Sequence, residues 1–255
     1  MSKRKLINKS NSSIVLSFIS IITFVYIVLF EFILPANKFL PKPSTLIEAV
    51  PALINDYNFI TSFIYTISIV YSVFLISYFL IKWFFPIIVN ASFQFKNLGI
   101  IFNTSKYFIP LFLILLFEMW FGNSIYAEIF FVLIIVNGFL KGEIFQKSYK
   151  VKEEYILSAK SLGLNGFFYI YWKSFQPQLF EGILKIHFVV WSAILIYEYV
   201  SRANGLGGIF YQAIKFHDLS IIIVMIIILL LTFWIMENLM NLIKLKFFFW
   251  ENLDE

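Results

Sequence analysis

The chain has 255 residues and a formal net charge of +5; 60% of its residues are hydrophobic and 14% are charged. This composition excludes a soluble globular domain, and the absence of cysteine excludes disulfides, thiolate metal sites and cysteine nucleophiles. We interpret the modest positive charge as lysines on the cytoplasmic side of a membrane protein, without nucleic-acid binding. His187 and His217 lack the spacing of metal ligands, so each is interpreted as structural or loop-exposed, and no zinc or haem site is expected. The composition predicts one all-α polytopic domain over residues 1–255, embedded in the lipid bilayer.

The first third of the chain contains two predicted spans separated by a proline-rich loop. The apolar run Ile14–Leu34 follows a basic start and is too long for a signal peptide, so we interpret it as an uncleaved first span. Four prolines prevent a continuous helix over 35–58, which we expect to be an external loop with a short helix near Thr45–Asn55. The run Phe59–Val89 is longer than one span requires. It is either one tilted helix kinked near Pro86 or a span followed by an interfacial piece.

Four more apolar runs follow, which gives about six transmembrane helices in all. The predicted spans lie at about 14–34, 59–89, 107–121, 128–145, 182–199 and 221–243. Between the last two we expect a glycine-rich loop, Ser201–Ser220. Lysine and arginine collect on the side of the membrane that holds both termini and the loop 147–173. By the positive-inside rule this side is the cytoplasm, so we predict a multi-pass protein of the cell (inner) membrane with both termini cytoplasmic.

A polar interruption at 152–166 separates the fourth and fifth predicted spans. Its first residues are acidic, as suits the first turn of a helix, and Gly163 is a natural stop because glycine readily takes a positive φ. One face of this helix holds Tyr155, Ile156, Ala159 and Leu162. Small residues in its middle would allow close approach by the groove of a partner protein. On the residues alone, docking into a partner and lying on the inner leaflet are equally open.

The same interruption resembles the signature loop of the membrane subunits of ABC importers, E-A-A-x-x-x-G followed by I-x-L-P. Leu157-Ser158-Ala159 stands where the family has E-A-A, and Gly163 lies at the family distance from it. The family glutamate is missing, one alanine has become serine, and the L-P exit is absent. The resemblance favours the docking role over the lipid-surface role.

Other motifs extend the resemblance to about residues 30–250, in the family order. Trp120-Phe121-Gly122 is similar to the W-F-G that closes the third span in the nitrate, sulfonate, taurine and bicarbonate branch. Phe39–Ser44 is similar to the external L-P-x-P-S of that branch, and Ala159–Gly163 to its A-R-S-L-G. The branch's G, W, E and G-L-G spacing and its aromatic C-terminal end are kept by Gly182, Trp191, Glu198, Gly205-Leu206-Gly207 and Phe249-Trp250.

This resemblance implies a type I ABC importer permease fold and a place in an ATP-driven importer. Such a subunit pairs with a second permease copy, here as an expected homodimer, and each copy receives a cytoplasmic ABC ATPase subunit. An extracytoplasmic substrate-binding protein delivers the cargo, which the branch implies is a small anion such as nitrate, a sulfonate, taurine or bicarbonate. The chain has no G-x-x-x-x-G-K-[ST] phosphate loop, so we expect no enzyme activity and no cofactor; ATP and Mg would bind the partner ATPase.

Two sets of site residues follow from the resemblance. The expected ATPase-coupling residues are Glu154, Tyr155, Ser158, Ala159, Ser161, Leu162 and Gly163. The expected residues of the translocation path or gate are Glu118, Trp191, Glu198, Gly205 and Gly207. A charge inside a span is costly unless it is protonated, paired or water-facing, so Glu118 either lines the path, pairs with a lysine or snorkels to the external end. Glu198 either shapes the external gate or is structural, and Trp191 either packs or contacts cargo.

Three other functions stay open on the sequence. A permease for a vitamin precursor, of thiamine or riboflavin, would share every feature except the cargo. An ion channel would need a filter-like loop or a ring of charges, and the sequence has no such pattern. A membrane enzyme would need paired acids, histidines or a nucleophile, and none projects together from the predicted spans. Co-purification of an ATP-hydrolysing partner would separate a permease from a channel or an enzyme.

Overall fold

The computed structural model describes residues 17–18, 20–34, 40–94, 110–147, 157, 161, 163, 167–202 and 204–247. The regular secondary structure of these residues is helical and includes no strand, which confirms the all-α class for this part of the chain. In chain order the helices are α1 (Ser20–Ile33, whose last part, Val28–Ile33, is a π-helix), α2 (Pro43–Asn55), α3 (Phe59–Gln94), α4 (Pro110–Phe121), α5 (Ile125–Lys147), α6 (Phe167–Ser201), α7 (Leu206–Lys215) and α8 (Leu219–Phe247).

Three of these helices contain segments long and apolar enough to cross a membrane. The segments are Phe59–Ile88 in α3, Phe175–Ser201 in α6 and Leu219–Phe247 in α8, and two shorter apolar helices are Ser20–Ile33 and Phe112–Phe121. They identify a membrane protein, whereas a total of six spans stays a prediction. With 36 residues, α3 is about 54 Å long at 1.5 Å per residue, which exceeds the hydrocarbon core of about 30 Å.

Prolines lie inside two of the long helices without ending them. Pro86 lies within α3, so 59–94 is one continuous helix. The choice between one tilted, kinked span and a span followed by an interfacial piece stays a prediction. Pro177 lies within α6, which begins at Phe167, well before the predicted start of the fifth span at residue 182. A proline removes one helical hydrogen bond, and long membrane helices tolerate this loss because neighbouring groups satisfy the freed carbonyl.

The chain divides into two packed units. The first comprises Met1–Phe59 and Gln212–Leu229, and the second comprises Ile60–Tyr211 and Leu230–Glu255. Each unit is described by itself below. The organisation of the whole chain as one transmembrane domain stays a prediction.

In the first unit, two hydrogen bonds join the end of α1 to the start of α2. The Tyr26 hydroxyl donates to the Pro41 carbonyl at 2.6 Å, and the Ser44 backbone N–H donates to Glu31 Oε2 at 3.1 Å. Pro43 occupies the first position of α2, where its missing N–H costs nothing. Glu31 therefore places a negative charge at the N-terminus of α2, where the helix dipole favours it. The short helix expected near Thr45–Asn55 is present as α2.

In the second unit, α5 packs along α6, and α4 packs against both. The buried side chains of α5 and α6 include Phe131, Val132, Val136, Leu140, Val190, Trp191, Ile194 and Tyr197. Because lipid tails are as apolar as these side chains, close van der Waals packing stabilises such a core more than exclusion of water does.

An aromatic cluster joins α3 to the first turns of α6. The ring of Phe85 lies 5.0 Å from that of Trp172 and 5.5 Å from that of Phe175, measured between centroids. Nearby, the Gln176 amide donates to the Tyr78 hydroxyl at 3.3 Å. These contacts explain why α6 starts earlier than predicted, since its first turns bury large aromatic side chains against α3.

Candidate functional site

Glu198 is completely buried in the last turn of α6 and accepts hydrogen bonds from two other elements. The Thr66 hydroxyl of α3 donates to Glu198 Oε1 at 2.7 Å, and the Gly207 backbone N–H of α7 donates to Oε2 at 2.8 Å. Thr66 Oγ1 in turn accepts from the Leu206 backbone N–H at 3.0 Å. We call Thr66, Glu198, Gly205, Leu206 and Gly207 the Glu198 node. It ties the ends of three helices together through one carboxylate.

The two glycines of the node are needed for this close approach. A Cβ at Gly205 would overlap the Glu198 carboxylate, and the Gly205 φ of +154° is one that other residues rarely adopt. A Cβ at Gly207 would lie 2.6 Å from both the Glu198 Cβ and the Tyr199 backbone N. Real side chains do not approach so closely, so glycine at both positions lets the 205–207 backbone lie directly on α6.

The position of α7 gives the Glu198 carboxylate a second physical role. Backbone N–H groups at the start of a helix point outward without helical partners, and the helix dipole makes this end positive. Glu198 supplies the matching negative group from within the chain. The prediction of a loop over Ser201–Ser220 is wrong for Leu206–Lys215, which is α7. Leu206 and Ile209 are buried on one face of it, and this apolar pair outweighs the helix-breaking glycines.

A second group of polar side chains in this unit is incompletely paired. Glu128 is only 1% exposed, and its Oε2 accepts from the Tyr65 hydroxyl at 3.0 Å. Glu128 Oε1, Glu118 Oε2 and the Tyr197 hydroxyl are buried without a hydrogen-bond partner among the described residues. We call Tyr65, Glu118, Glu128 and Tyr197 the acidic cluster. Buried polar atoms without protein partners are candidates for binding a polar ligand or for taking up and releasing a proton.

The Glu198 node and the acidic cluster are neighbours. Tyr65 and Thr66 are consecutive in α3, and Tyr197 and Glu198 are consecutive in α6. Glu128 lies close enough to Glu198 for the two carboxylates to interact electrostatically. The described residues contain no group of three or more His, Cys, Asp or Glu side chains that could hold a metal ion. The arrangement thus contains three acids at helix ends: both oxygens of Glu198 accept hydrogen bonds, whereas Glu118 and Glu128 each keep one buried oxygen without a partner among the described residues.

The residues predicted to line the translocation path or gate do not all lie together in the structure. Glu198, Gly205 and Gly207 form the node, and Glu118 belongs to the adjacent acidic cluster. Trp191 lies about two turns before Glu198 in α6 and is completely buried. Its indole N–H donates to His187 Nε2 at 3.3 Å, and its ring packs edge-on against Phe233 at 5.3 Å. In this structure Trp191 is a packing residue, and a contact with cargo stays a prediction.

The predicted coupling segment lies mostly outside the described residues. Glu154, Tyr155, Ser158, Ala159 and Leu162 fall among those not described. Ser161 is helical, and Gly163 is in a turn with a φ of +71°. A glycine in this left-handed conformation is the usual end of a helix, so the described positions agree with a helix that stops at Gly163.

Sequence reasoning overlooked three polar residues that the structure makes prominent. Glu128 was treated only as the boundary of a span, His187 only as a structural histidine, and Glu237 in α8 was not singled out. An ionisable residue inside an apolar run is a signal that could have found both glutamates. Thr66 carries no such signal, since its role depends on residues far away in the chain.

Comparison of the chain with protein-family models, with curated proteins and with solved structures finds no match.

Proposed function

We propose that the chain is the transmembrane permease subunit of an ATP-driven ABC importer. It forms part of the translocation path and transmits the closure of a cytoplasmic ATPase to the membrane helices. Cargo arrives from an extracytoplasmic binding protein and belongs to the small anions of the nitrate, sulfonate, taurine and bicarbonate branch. A second copy of the chain completes the path. The collinear order of the family motifs over residues 30–250 carries this proposal.

The geometry of the Glu198 node supports the proposal from an independent direction. In the resemblance, Glu198 and the Gly205-Leu206-Gly207 motif are separate signatures. In the fold they are one hydrogen-bonded unit, with the Gly207 N–H on Glu198 Oε2 at 2.8 Å. Motif residues that depend on each other physically are expected to occur together, whereas chance matches have no reason to meet.

The continuity of α6 supplies a mechanical route for coupling. This helix starts at Phe167, directly after the predicted coupling segment, and carries Glu198 in its last turn. The distance between these two residues along the helix is about 47 Å at 1.5 Å per residue. A displacement of the cytoplasmic segment therefore moves the Glu198 node through a single helix. Switching between two states then requires only that nucleotide binding favours one position of this helix.

The predicted topology puts the node and the acidic cluster on the external side. Tyr65 and Thr66 lie near the start of the second predicted span, and Glu118 lies near the end of the third. Glu128 begins the fourth span, and Glu198 lies near the end of the fifth. An external gate is the role we assign to these helix ends, because separating them would break the hydrogen bonds of Glu198 and admit cargo.

Co-purification of a partner ATPase tests this function directly. We expect the affinity-tagged chain, purified from its native host, to bring down a nucleotide-hydrolysing subunit. A photo-crosslinker at Leu157, whose side chain is 63% exposed, should attach to that subunit. Absence of any ATP-hydrolysing partner, with the chain intact in the membrane, would contradict the proposal.

Variants of the coupling segment test the mechanism. Gly163→Trp and Ala159→Glu should each abolish ATP-dependent uptake while leaving the amount of protein in the membrane unchanged. A Cβ at Gly163 would meet no atom within 4 Å. The φ of +71° at Gly163 nevertheless strains most other residues. Gly163→Asn, which tolerates this conformation without adding a large ring, should therefore keep uptake and separates backbone strain from a blocked docking surface. A matched control is Ile47→Trp, which adds the same ring at a side chain that is 74% exposed in α2. Normal uptake in Gly163→Trp would rule out docking at this segment.

A further inference from the structure

A cleft of about 260 Å³ lies between α6 and α8 in the second unit. Its lining combines apolar, aromatic, polar and acidic side chains: Leu184, His187, Phe188, Phe233, Glu237, Met240 and Asn241. Small-molecule sites have volumes of roughly 300–1,000 Å³ and usually combine apolar walls with a few polar groups. The cleft has this composition and lies just below this range of sizes, so any ligand must be small.

Contacts at both ends keep the cleft open between the two helices. At one end, Lys244 Nζ of α8 forms an ion pair with Glu181 Oε1 of α6 at 2.7 Å. At the other end, the ring of Phe233 packs edge-on against those of Phe188 and Trp191, with centroids 5.4 and 5.3 Å apart. The walls are therefore fixed by specific contacts on both sides of the lining residues.

The hydrogen bonds of His187 define which of its nitrogens carries a proton. The indole N–H of Trp191 can only donate, and it lies 3.3 Å from His187 Nε2. The Tyr71 hydroxyl also lies 3.3 Å from this nitrogen. The tautomer assigned from this geometry has Nε2 as the acceptor and the proton on Nδ1. His187 thus offers a hydrogen-bond donor but no positive charge to the cleft.

Glu237 is the acidic residue of the cleft lining, and it has no ion-pair partner among the described residues. It lies in the apolar helix Leu219–Phe247, where an ionised carboxylate is costly unless a cation faces it. The nearby Lys244 is already engaged by Glu181. His187 accepts the Trp191 indole N–H at Nε2, so the assigned tautomer of its imidazole carries no positive charge. The described lining therefore presents one carboxyl group without an ion-pair partner beside the aromatic rings of Phe188 and Phe233.

We propose that this cleft binds a small organic cation with a compact apolar or aromatic body. The ammonium group lies beside the Glu237 carboxylate and against the aromatic rings, where the negative ring faces attract cations. Met240 contacts the apolar body, while the Asn241 amide and the His187 Nδ1–H serve polar substituents. A negatively charged cleft repels the anionic cargo assigned above. The inference therefore concerns a separate site and does not rest on the proposed function.

Equilibrium binding to the purified full-length protein in detergent tests the charge preference. The probes are benzyltrimethylammonium, neutral benzyl alcohol and anionic benzenesulfonate, each titrated by calorimetry. We expect the cation to bind at least about 10-fold more tightly than the alcohol, because a carboxylate forms a stronger, charge-assisted contact with a charged partner than with a neutral one. The anion should show no binding. Cation binding no tighter than that of the alcohol would overturn the proposal.

Variants of the lining identify the site. Glu237→Gln should weaken binding of the cation at least about 10-fold and leave that of benzyl alcohol unchanged. Glu48→Gln removes an exposed carboxylate from α2 in the other unit and should change neither. If thermal unfolding shows Glu237→Gln to be misfolded, Phe233→Leu replaces it, since the leucine stays apolar but lacks a ring face. We expect Phe233→Leu to weaken cation binding about 3-fold. Wild-type cation affinity in a folded Glu237→Gln protein would overturn the proposal.

The same cation chemistry occurs in free solutes and in the choline headgroup of a lipid. Nanodiscs of phosphatidylglycerol alone, compared with nanodiscs that also contain phosphatidylcholine, distinguish the two sources. Competitive weakening of benzyltrimethylammonium binding by phosphatidylcholine would identify a lipid headgroup as the occupant. Unchanged affinity would identify a free organic cation. Each of these results requires the cation-selective cleft that the proposal describes.

Discussion

Glu198 shows how a carboxylate can be accommodated at the end of a membrane helix with no cationic partner among the residues that the structure describes. A hydroxyl and a backbone N–H donate to its two oxygens, at 2.7 and 2.8 Å. Hydrogen bonds to a carboxylate are roughly twice as strong as those between neutral groups, and the N-terminal dipole of α7 adds to them. The node is therefore both a structural tie and a point whose opening requires several bonds to break together.

Thr66→Val should destabilise the protein although it hardly changes the shape of the side chain. Valine has nearly the same volume, but it leaves a Glu198 oxygen and the Leu206 N–H without their partner. We expect the free energy of unfolding to fall by about 1–3 kcal/mol, as for other buried groups that lose a hydrogen bond. Thermal unfolding in detergent measures the change. Thr66→Ser keeps the hydroxyl and should stay closer to wild type; equal losses in both variants would show that packing, not hydrogen bonding, matters here.

Gly207→Ala tests the close approach of α7 to α6. The added Cβ overlaps the Leu195 carbonyl and the Glu198 Cβ, so one helix must move. We expect a loss of about 1–3 kcal/mol in the free energy of unfolding, as is typical of overpacking. Gly122 offers a matched control, because its φ of +59° is one that asparagine tolerates and no atom lies within 4 Å of its Cβ position. Gly122→Asn should unfold like wild type, and similar behaviour of Gly207→Ala would contradict the packing described for the node.

At the scale of elements, the first two helices are joined by a side chain that caps a helix. Glu31→Ala removes the acceptor of the Ser44 N–H and the negative charge at the N-terminus of α2. We expect the first turn of α2 to lose about 0.5–2 kcal/mol of local stability, the usual cost of removing a cap. Hydrogen exchange at the amides of this turn measures it. Glu48→Ala, an exposed change within the same helix, should leave exchange unaltered; equal protection in both variants would refute the cap.

The apolar helices were predictable from the sequence, but their ends were not. Runs of apolar residues identify α3 and α8 because composition alone determines whether a segment suits lipid. The sequence misplaced the start of α6, which depends on Trp172 and Phe175 packing against α3. It also missed α7, because two glycines argue for a loop unless the backbone is known to approach Glu198. Contacts between distant segments decide both cases, and a local pattern does not contain them.

The candidate sites likewise contain residues that the sequence could identify and residues that only the structure reveals. Glu198 and its glycines could be identified from motif spacing, although not the Thr66 hydroxyl that completes their hydrogen bonds. The cleft beside Glu237 could not be anticipated, since its lining joins residues of α6 and α8 that are far apart in the chain. His187 illustrates the limit most clearly. Its isolation in the sequence argued for a structural role, and only the position of the Trp191 indole reveals its protonation and its place in the cleft.

At the scale of the whole molecule, the direction of insertion links every functional assignment. The proposed coupling segment must face the ATPase, and the Glu198 node must face the incoming cargo. Because the natural chain has no cysteine, a single introduced cysteine is the only thiol in the protein. Asn204→Cys lies in an exposed turn before α7, and Leu157→Cys lies at an exposed position of the predicted coupling segment. We expect a membrane-impermeant maleimide to label Asn204→Cys in intact cells, and to label Leu157→Cys only after the membrane is opened. The reverse labelling pattern would mean that residue 204 faces the cytoplasm and residue 157 the outside, which would exclude both the docking role and the external gate. Labelling of neither thiol in opened membranes would show that these positions are not at the aqueous surface.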